Sequence, residues 1–148
     1  MEDKQVHLEK IQRTLAFIAN KLNLLNIKWV LGASGALMVH GINIIPWDLD
    51  IFTNEETVRL LENKFKEHIV NPLHYFDQKN HKELEFQMKI NDIEIEVCEP
   101  CDFSLVQTVN FNNIPIPVNS LKSELEFYSQ RIGKEEIIKQ IKEKLSAQ

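Results

Sequence analysis

The sequence predicts an α+β fold, a mixed β-sheet with an acidic strand near its middle and helices packed around it. Three stretches carry that prediction. Trp47-Asp48-Leu49-Asp50-Ile51-Phe52 alternates with period two. Glu83 to Ile90 and Ile93 to Cys98 alternate on either side of Asn91-Asp92, a pair suited to a tight hairpin. Leu8, Ile11, Leu15, Ile18, Leu22 and Leu25 recur three or four residues apart, the spacing of an amphipathic helix.

In chain order, residues 1–26 read as that first helix, docked on its own domain rather than on a coiled-coil partner, because the stripe is short. Lys28-Trp29-Val30-Leu31 reads as a buried strand, broken by Gly32-Ala33-Ser34 before a helix from Gly35 to His40 that Gly41 ends. After the loop Ile42 to Pro46 comes the acidic strand. Thr53-Asn54-Glu55-Glu56 has capping chemistry, and Val58, Leu60, Leu61 and Phe65 give the next helix its apolar face. Beyond the first hairpin, Phe103 to Phe111 and Ile114 to Val118 form a second one around Asn112-Asn113. Asn119 or Ser120 caps a helix through Leu121, Leu125, Tyr128 and Ile132. Gly133 interrupts it before a final stripe of Ile137, Ile138, Ile141 and Leu145. All 148 residues then make one domain: an N-terminal helix (1–26), a sheet core (28–118) and C-terminal helices (120–146).

Composition narrows the function. Seventeen basic residues against 22 acidic ones give a net charge of −5, which supplies no general counter-charge for a long phosphate backbone. No apolar run approaches the roughly 20 residues of a membrane helix. Met1-Glu2-Asp3-Lys4-Gln5 carries both charges and does not resemble a signal peptide, so a cytoplasmic protein is expected. Cys98 and Cys101 are the two cysteines, which excludes a disulfide framework.

The chemistry gathers on the acidic strand. Asp48 and Asp50, two residues apart, share one face, where their repulsion favours a divalent cation between them. Hard oxygen ligands that leave the rest of the shell to water and substrate phosphate suit Mg²⁺. About fifteen residues upstream, Gly32-Ala33-Ser34 ends a strand with side chains small enough for a phosphate to approach the backbone. On Ile93-Glu94-Ile95-Glu96-Val97 the apolar residues take the core, leaving Glu94 and Glu96 on the other face as sources of a third carboxylate.

These residues, Gly32-Ala33-Ser34-Gly35-Ala36-Leu37 through His40-Gly41 and then Asp48-Leu49-Asp50-Ile51, resemble the minimal stand-alone members of the DNA polymerase beta-like nucleotidyltransferase superfamily. The extended segment Ile116 to Val118, the helix from Leu121 and the tail with Arg131, Lys134 and Glu135 are similar to the end of many such domains. The resemblance implies that Asp48 and Asp50 hold Mg²⁺, two ions in all. It also implies that Gly32 and Ser34 line the triphosphate and that Glu96 is the third carboxylate, with Glu94 as the alternative. The implied reaction transfers a nucleoside monophosphate from an NTP to an acceptor hydroxyl. Two departures are visible: Asn43 to Trp47 lacks the basic residue that many relatives carry there, and the third acid is Glu where Asp is usual. A catalytically degenerate nucleotide- or partner-binding domain, or a toxin-type transferase of a toxin–antitoxin pair, are the rival readings. The charge favours a small molecule or a protein side chain as acceptor. Its pocket would be completed by Tyr128, Arg131 and Lys134 or by a second copy of the chain in a homodimer.

Other signals point to packing. Cys98-Glu99-Pro100-Cys101 ends a hairpin strand instead of opening a helix, unlike redox motifs. His68, His74 and His81 fall in loop-like sequence without metal spacing, His40 reads as a packing or capping residue, and Trp29 and Trp47 read as core.

Overall fold

The structure, a computed structural model, describes residues 3–78 and 81–148. Helix α1 (Lys4–Leu24) starts at Asp3, whose side chain accepts the N–H of Gln5, and buries Ile11, Leu15, Ile18 and Leu22. The docked reading of this helix holds: its apolar stripe lies across the sheet, against Leu31, Leu49, Ile95 and Val118 in one continuous core. Strand β1 (Val30–Gly32) runs directly into α2 (Ala33–Val39), and β2 (Asp48–Phe52) into α3 (Glu55–Lys64), capped by Asn54 onto the Thr57 N–H at 2.8 Å. Then follow β3 (Ile69–Gln78), β4 (His81–Ile90), β5 (Ile93–Cys98), β6 (Val106–Phe111) and β7 (Ile114–Asn119). The C-terminal helices are α4 (Leu121–Ser129), capped by Ser120, and α5 (Glu135–Ser146). They pack on α2 through a second cluster of Leu37, Ile42, Leu121, Tyr128 and Ile141.

Among the described residues seven strands form one mixed sheet in the order β3-β4-β5-β2-β1-β7-β6, with the acidic strand fourth of seven. β2 runs antiparallel to β1 and parallel to β5. Both predicted hairpins form, the first arm of the second beginning at Val106 instead of Phe103, because Phe103–Leu105 makes a 3-10 turn capped by Asp102. Their turns, Asn91-Asp92 and Asn112-Asn113, have positive φ at all four residues, the left-handed conformation that Asn and Asp tolerate best. β7 is unusual for an internal strand. Pro115 and Pro117 remove two backbone donors, and its register with β1 is confined to Leu31 and Val118, while Ile116 and Val118 are fully buried beneath α1. No helix among the described residues is long and apolar enough to cross a membrane.

Three local expectations need correction. The segment read as loop before Glu83 contains β3, an edge strand with register shifts around Asn71, so His74 lies on a strand. Pro72 hides it from pattern reading and is tolerated because the strand is at the edge. Trp47 is not core. It stands one residue before β2, 63% exposed, with its ring on His7 at 4.1 Å between centroids, while Trp29 is buried and donates to Asn23 at 3.2 Å. Finally, α2 begins at Ala33 instead of Gly35, so the small-residue turn is already the first turn of the helix.

His74 has a definite structural role. A carbonyl can only accept, so its Nδ1 donates to the Pro72 oxygen at 2.8 Å, and Nε2 meets Glu85 Oε1 at 2.8 Å. The Pro72 bond first and the Glu85 contact next raise its pKa above 6.5, against the opposing effect of burial. A histidine raised by folding contributes stability that is complete below its unfolded value and fades as pH climbs through the folded one. The melting-temperature gap between wild type and His74→Gln should therefore be widest near pH 6 and close toward pH 9. A gap that widens with pH would refute this assignment.

Candidate active site

Register brings the predicted carboxylates together. In the parallel β2–β5 pair Asp48 lies opposite Glu94 and Asp50 opposite Glu96, while on the other side Asp50 lies opposite Gly32. Leu49 and Ile51 on β2, and Ile93, Ile95 and Val97 on β5, are buried, which turns all four acids to the far face of the sheet. Gly32, Asp50 and Glu96 thus stand in one row across three neighbouring strands, and Ser34 follows two residues beyond Gly32.

The row is electrostatically strained. Asp50 is pushed up to about 7, chiefly by burial, then by Asp48 and Glu96, with a weaker push from Glu94; Arg131 pulls the other way. Glu96 is also raised, first by burial and then by Glu85. Its Oε2 accepts from Gln87 Nε2 at 3.3 Å, and Gln87 Oε1 accepts from Asn71 Nδ2 at 2.7 Å. The Asn71 donor fixes the orientation of the Gln87 amide, which therefore presents its N–H to Glu96. Arg131, its guanidinium 4.1 Å over the Phe127 ring, brings positive charge from the end of α4. The Asn43 to Trp47 segment has no basic residue, so this charge reaches the site from a different part of the chain.

The Gly32 turn is tight. A Cβ on Gly32 would stand 2.5 Å from Phe52 Cε2 and 3.1 Å from Asn119 Nδ2, so close packing here excludes a side chain unless Phe52 moves. Ala33 then adopts φ +54°, a left-handed conformation that costs a non-glycine residue about 1–2 kcal/mol. A cleft of about 280 Å³ opens next to Phe52 and Asn119, with Pro100, Cys101 and the acids Asp102 and Glu126 also in its lining.

The donor set fits a hard divalent cation by its chemistry: mutually repelling carboxylates, one of them raised to about 7 by burial first and by its neighbours next, gain most from a bound dication. As they stand, no three His, Cys, Asp or Glu side chains among the described residues are gathered tightly enough to complete a centre on their own. Mg²⁺ commonly binds through one or two carboxylates and takes its remaining ligands from water and phosphate, so the Asp48–Asp50 pair meets that requirement. The histidines stay outside the row: His40 Nε2 bonds the Asn119 carbonyl at 2.8 Å, as a packing role requires. Cys98 is buried, with its thiol pushed far up, and Cys101 is pushed up to about 11, both mainly by burial, which suits inert thiols. Sequence reasoning missed Glu124 on α4, buried beside the turn. Its signal was an acid within the stripe Leu121, Glu124, Tyr128.

No family model and no curated protein matches the chain. Solved structures do. A Thermotoga maritima protein provisionally described as a nucleotidyltransferase (TM1012) superposes with a TM-score of 0.74 at 22% identity, over 92% of both chains. The lincosamide antibiotic adenylyltransferase LnuA, solved with lincomycin bound, gives 0.63 at 12% identity over 88% of this chain and 95% of its own. An antigenic nucleotidyltransferase-like protein from Paracoccidioides brasiliensis gives 0.57 at 17% identity over 94% of this chain and 77% of its own. At these identities the likeness establishes architecture, and the architecture is that of the nucleotidyltransferase-like α+β fold.

Proposed function

We propose that the protein is a metal-dependent nucleotidyltransferase that moves a nucleoside monophosphate from an NTP to a hydroxyl of a small molecule or a protein side chain. The observation that carries this reading is the row Gly32, Asp50, Glu96, which sets a tight glycine turn beside paired carboxylates on adjacent strands. The shared fold supports it at the level of reaction class.

In this reading Asp48 and Asp50 are the Mg²⁺ ligands, and Glu96 joins them in preference to Glu94. Glu96 weighs more heavily on Asp50 and is held by Gln87, whereas Glu94 is exposed. Bound there, Mg²⁺ supplies neutralisation of phosphate charge and a lowered pKa for the acceptor hydroxyl. The Gly32–Ser34 turn receives the triphosphate. Arg131 adds positive charge on the same side. The acceptor oxygen forms a bond to the α-phosphorus, the bond from that phosphorus to the bridging oxygen breaks, and pyrophosphate leaves with the electron pair. The hydroxyl proton passes to solvent or to a Glu96 oxygen left free of the metal.

The test is incubation of the full chain with each α-labelled NTP, Mg²⁺ or Mn²⁺ and a cell extract fractionated into metabolites, proteins and nucleic acids. Label on a metabolite or protein, absent with Asp48→Asn, is the expected result. Label confined to tRNA or DNA would overturn the acceptor assignment, and failure of any NTP to bind or react would overturn the enzymatic one.

A further inference from the structure

Helix α4 turns an acid inward. Leu121, Glu124 and Tyr128 are its buried residues, so Glu124 occupies a position that the stripe otherwise gives to apolar side chains. It is 3% exposed. Its Oε2 accepts a long hydrogen bond from Asn119 Nδ2 at 3.4 Å, the backbone N–H of Ala33 approaches the same carboxyl, and Oε1 is buried without a hydrogen-bond partner. A carboxyl so placed costs the fold stability that an apolar residue of similar size would not.

The groups that donate to Glu124 lie in or against the phosphate turn. Ala33 is the residue held at φ +54°. Asn119 Nδ2 is the atom that packs against Gly32, and the Asn119 carbonyl is tied by His40 to the end of α2. Glu124 therefore links α4, the end of β7 and the β1–α2 junction at a point where a residue other than Asn, Asp or Gly is held in the left-handed region. Backbone strain of this kind persists only where surrounding groups enforce it.

We propose that Glu124 is a positioning residue: by engaging the Ala33 N–H and the Asn119 amide it holds the Gly32–Ser34 turn in the left-handed form that receives the triphosphate. The proposal rests on the phosphate role assigned to that turn. Burial, and more weakly the charge of Asp50, raise Glu124 to about 7, while the contacts from Asn119 and Ala33 oppose the rise.

The experiment compares full-length wild type, Glu124→Leu, Glu124→Gln, Ala33→Gly and the Ala33→Gly/Glu124→Leu double variant at pH 8. It reads dissociation constants for Mg²⁺-ATP, -GTP, -CTP and -UTP, together with melting temperatures in chelator. Glu124→Leu should melt no lower than wild type and bind its preferred nucleotide about tenfold more weakly, a split that a merely structural role does not produce. Glu124→Gln, which keeps one acceptor oxygen, should lose less. Glycine enters the left-handed region freely, so Ala33→Gly should restore most of the affinity lost in Glu124→Leu. Equal affinities in wild type and Glu124→Leu, or no restoration by Ala33→Gly, would overturn the proposal. If wild type binds none of the four nucleotides, the phosphate reading itself fails. The melting temperatures of the same set then decide: additive shifts dismiss the Glu124–Ala33 link, and a Glu124→Leu shift that is more favourable in the Ala33→Gly background than in wild type upholds it.

Discussion

Replacing Asp50 by Asn should lower nucleotidyl transfer by roughly 10²–10³-fold or more and, in the same protein, raise the melting temperature measured in chelator at pH 8. The two effects have one cause. A carboxyl held near 7 in the fold and near 3.8 when unfolded binds more protons in the native state between those values. Stability therefore falls as pH rises through that window, and the full cost is present above neutrality. At about 1.36 kcal/mol per pH unit, the cost reaches at most roughly 4 kcal/mol, and burial that is only partial reduces it. Asn removes the cost together with the ligand. The melting difference should vanish below about pH 3, where Asp50 is protonated in both states, and it should shrink or reverse when millimolar Mg²⁺ and NTP stabilise wild type by mass action. An Asp50→Asn protein that melts below wild type at pH 8 in chelator would contradict this account of the site.

Phe86→Ala should produce the largest loss of stability, about 3–5 kcal/mol by denaturant titration, out of a total of about 5–15 kcal/mol for an ordinary domain. Phe86 is fully buried at the centre of β4 between Leu84 and Met88 and lies opposite Val97 of β5. One residue further along, Gln87 holds Glu96. The cavity thus opens under the strand pairing that sets the third carboxylate. Loss of nucleotide affinity should follow global stability here, recovering at lower temperature, in contrast to Glu124→Leu. A change below about 1 kcal/mol would show that β4 repacks freely, which a close-packed interior does not permit.

The sheet was readable wherever a local rule and the tertiary environment agree. Period-two alternation placed Asp48 and Asp50 on one face because Leu49 and Ile51 bury the other, and the Asn91-Asp92 and Asn112-Asn113 turns announced their hairpins through residues that tolerate positive φ. β3 was not readable, because an edge strand needs only one hydrogen-bonded neighbour and so can contain Asn71-Pro72 without losing its place. The exposure of Trp47 was hidden because β2 starts one residue later than its alternation suggests. Periodicity also puts Glu94 and Glu96 on the same face without ranking them. Ranking requires the tertiary partners, Gln87 and Glu85 beside Glu96. Glu124 was passed over because helical stripes are read from their apolar members, and an acid among them looks like an interruption.

The prolines of β7 divide the candidate site mechanically. Asp48, Asp50 and Glu96 ride on β2 and β5, which are laddered together along their length, whereas Asn119 and α4 follow from β7, whose full ladder is with the edge strand β6. β7 meets β1 in register at Val118 alone and is held to the rest of the fold by bonds from Asn23 and His40 to its carbonyls and by the burial of Ile116 and Val118. A ladder has a register and resists sliding, while apolar contact is non-directional and tolerates it. The limb carrying Asn119, Glu124 and Arg131 is therefore the compliant part, so the sheet acts as an anvil for the carboxylates and the C-terminal helices as the jaw that can be adjusted against it.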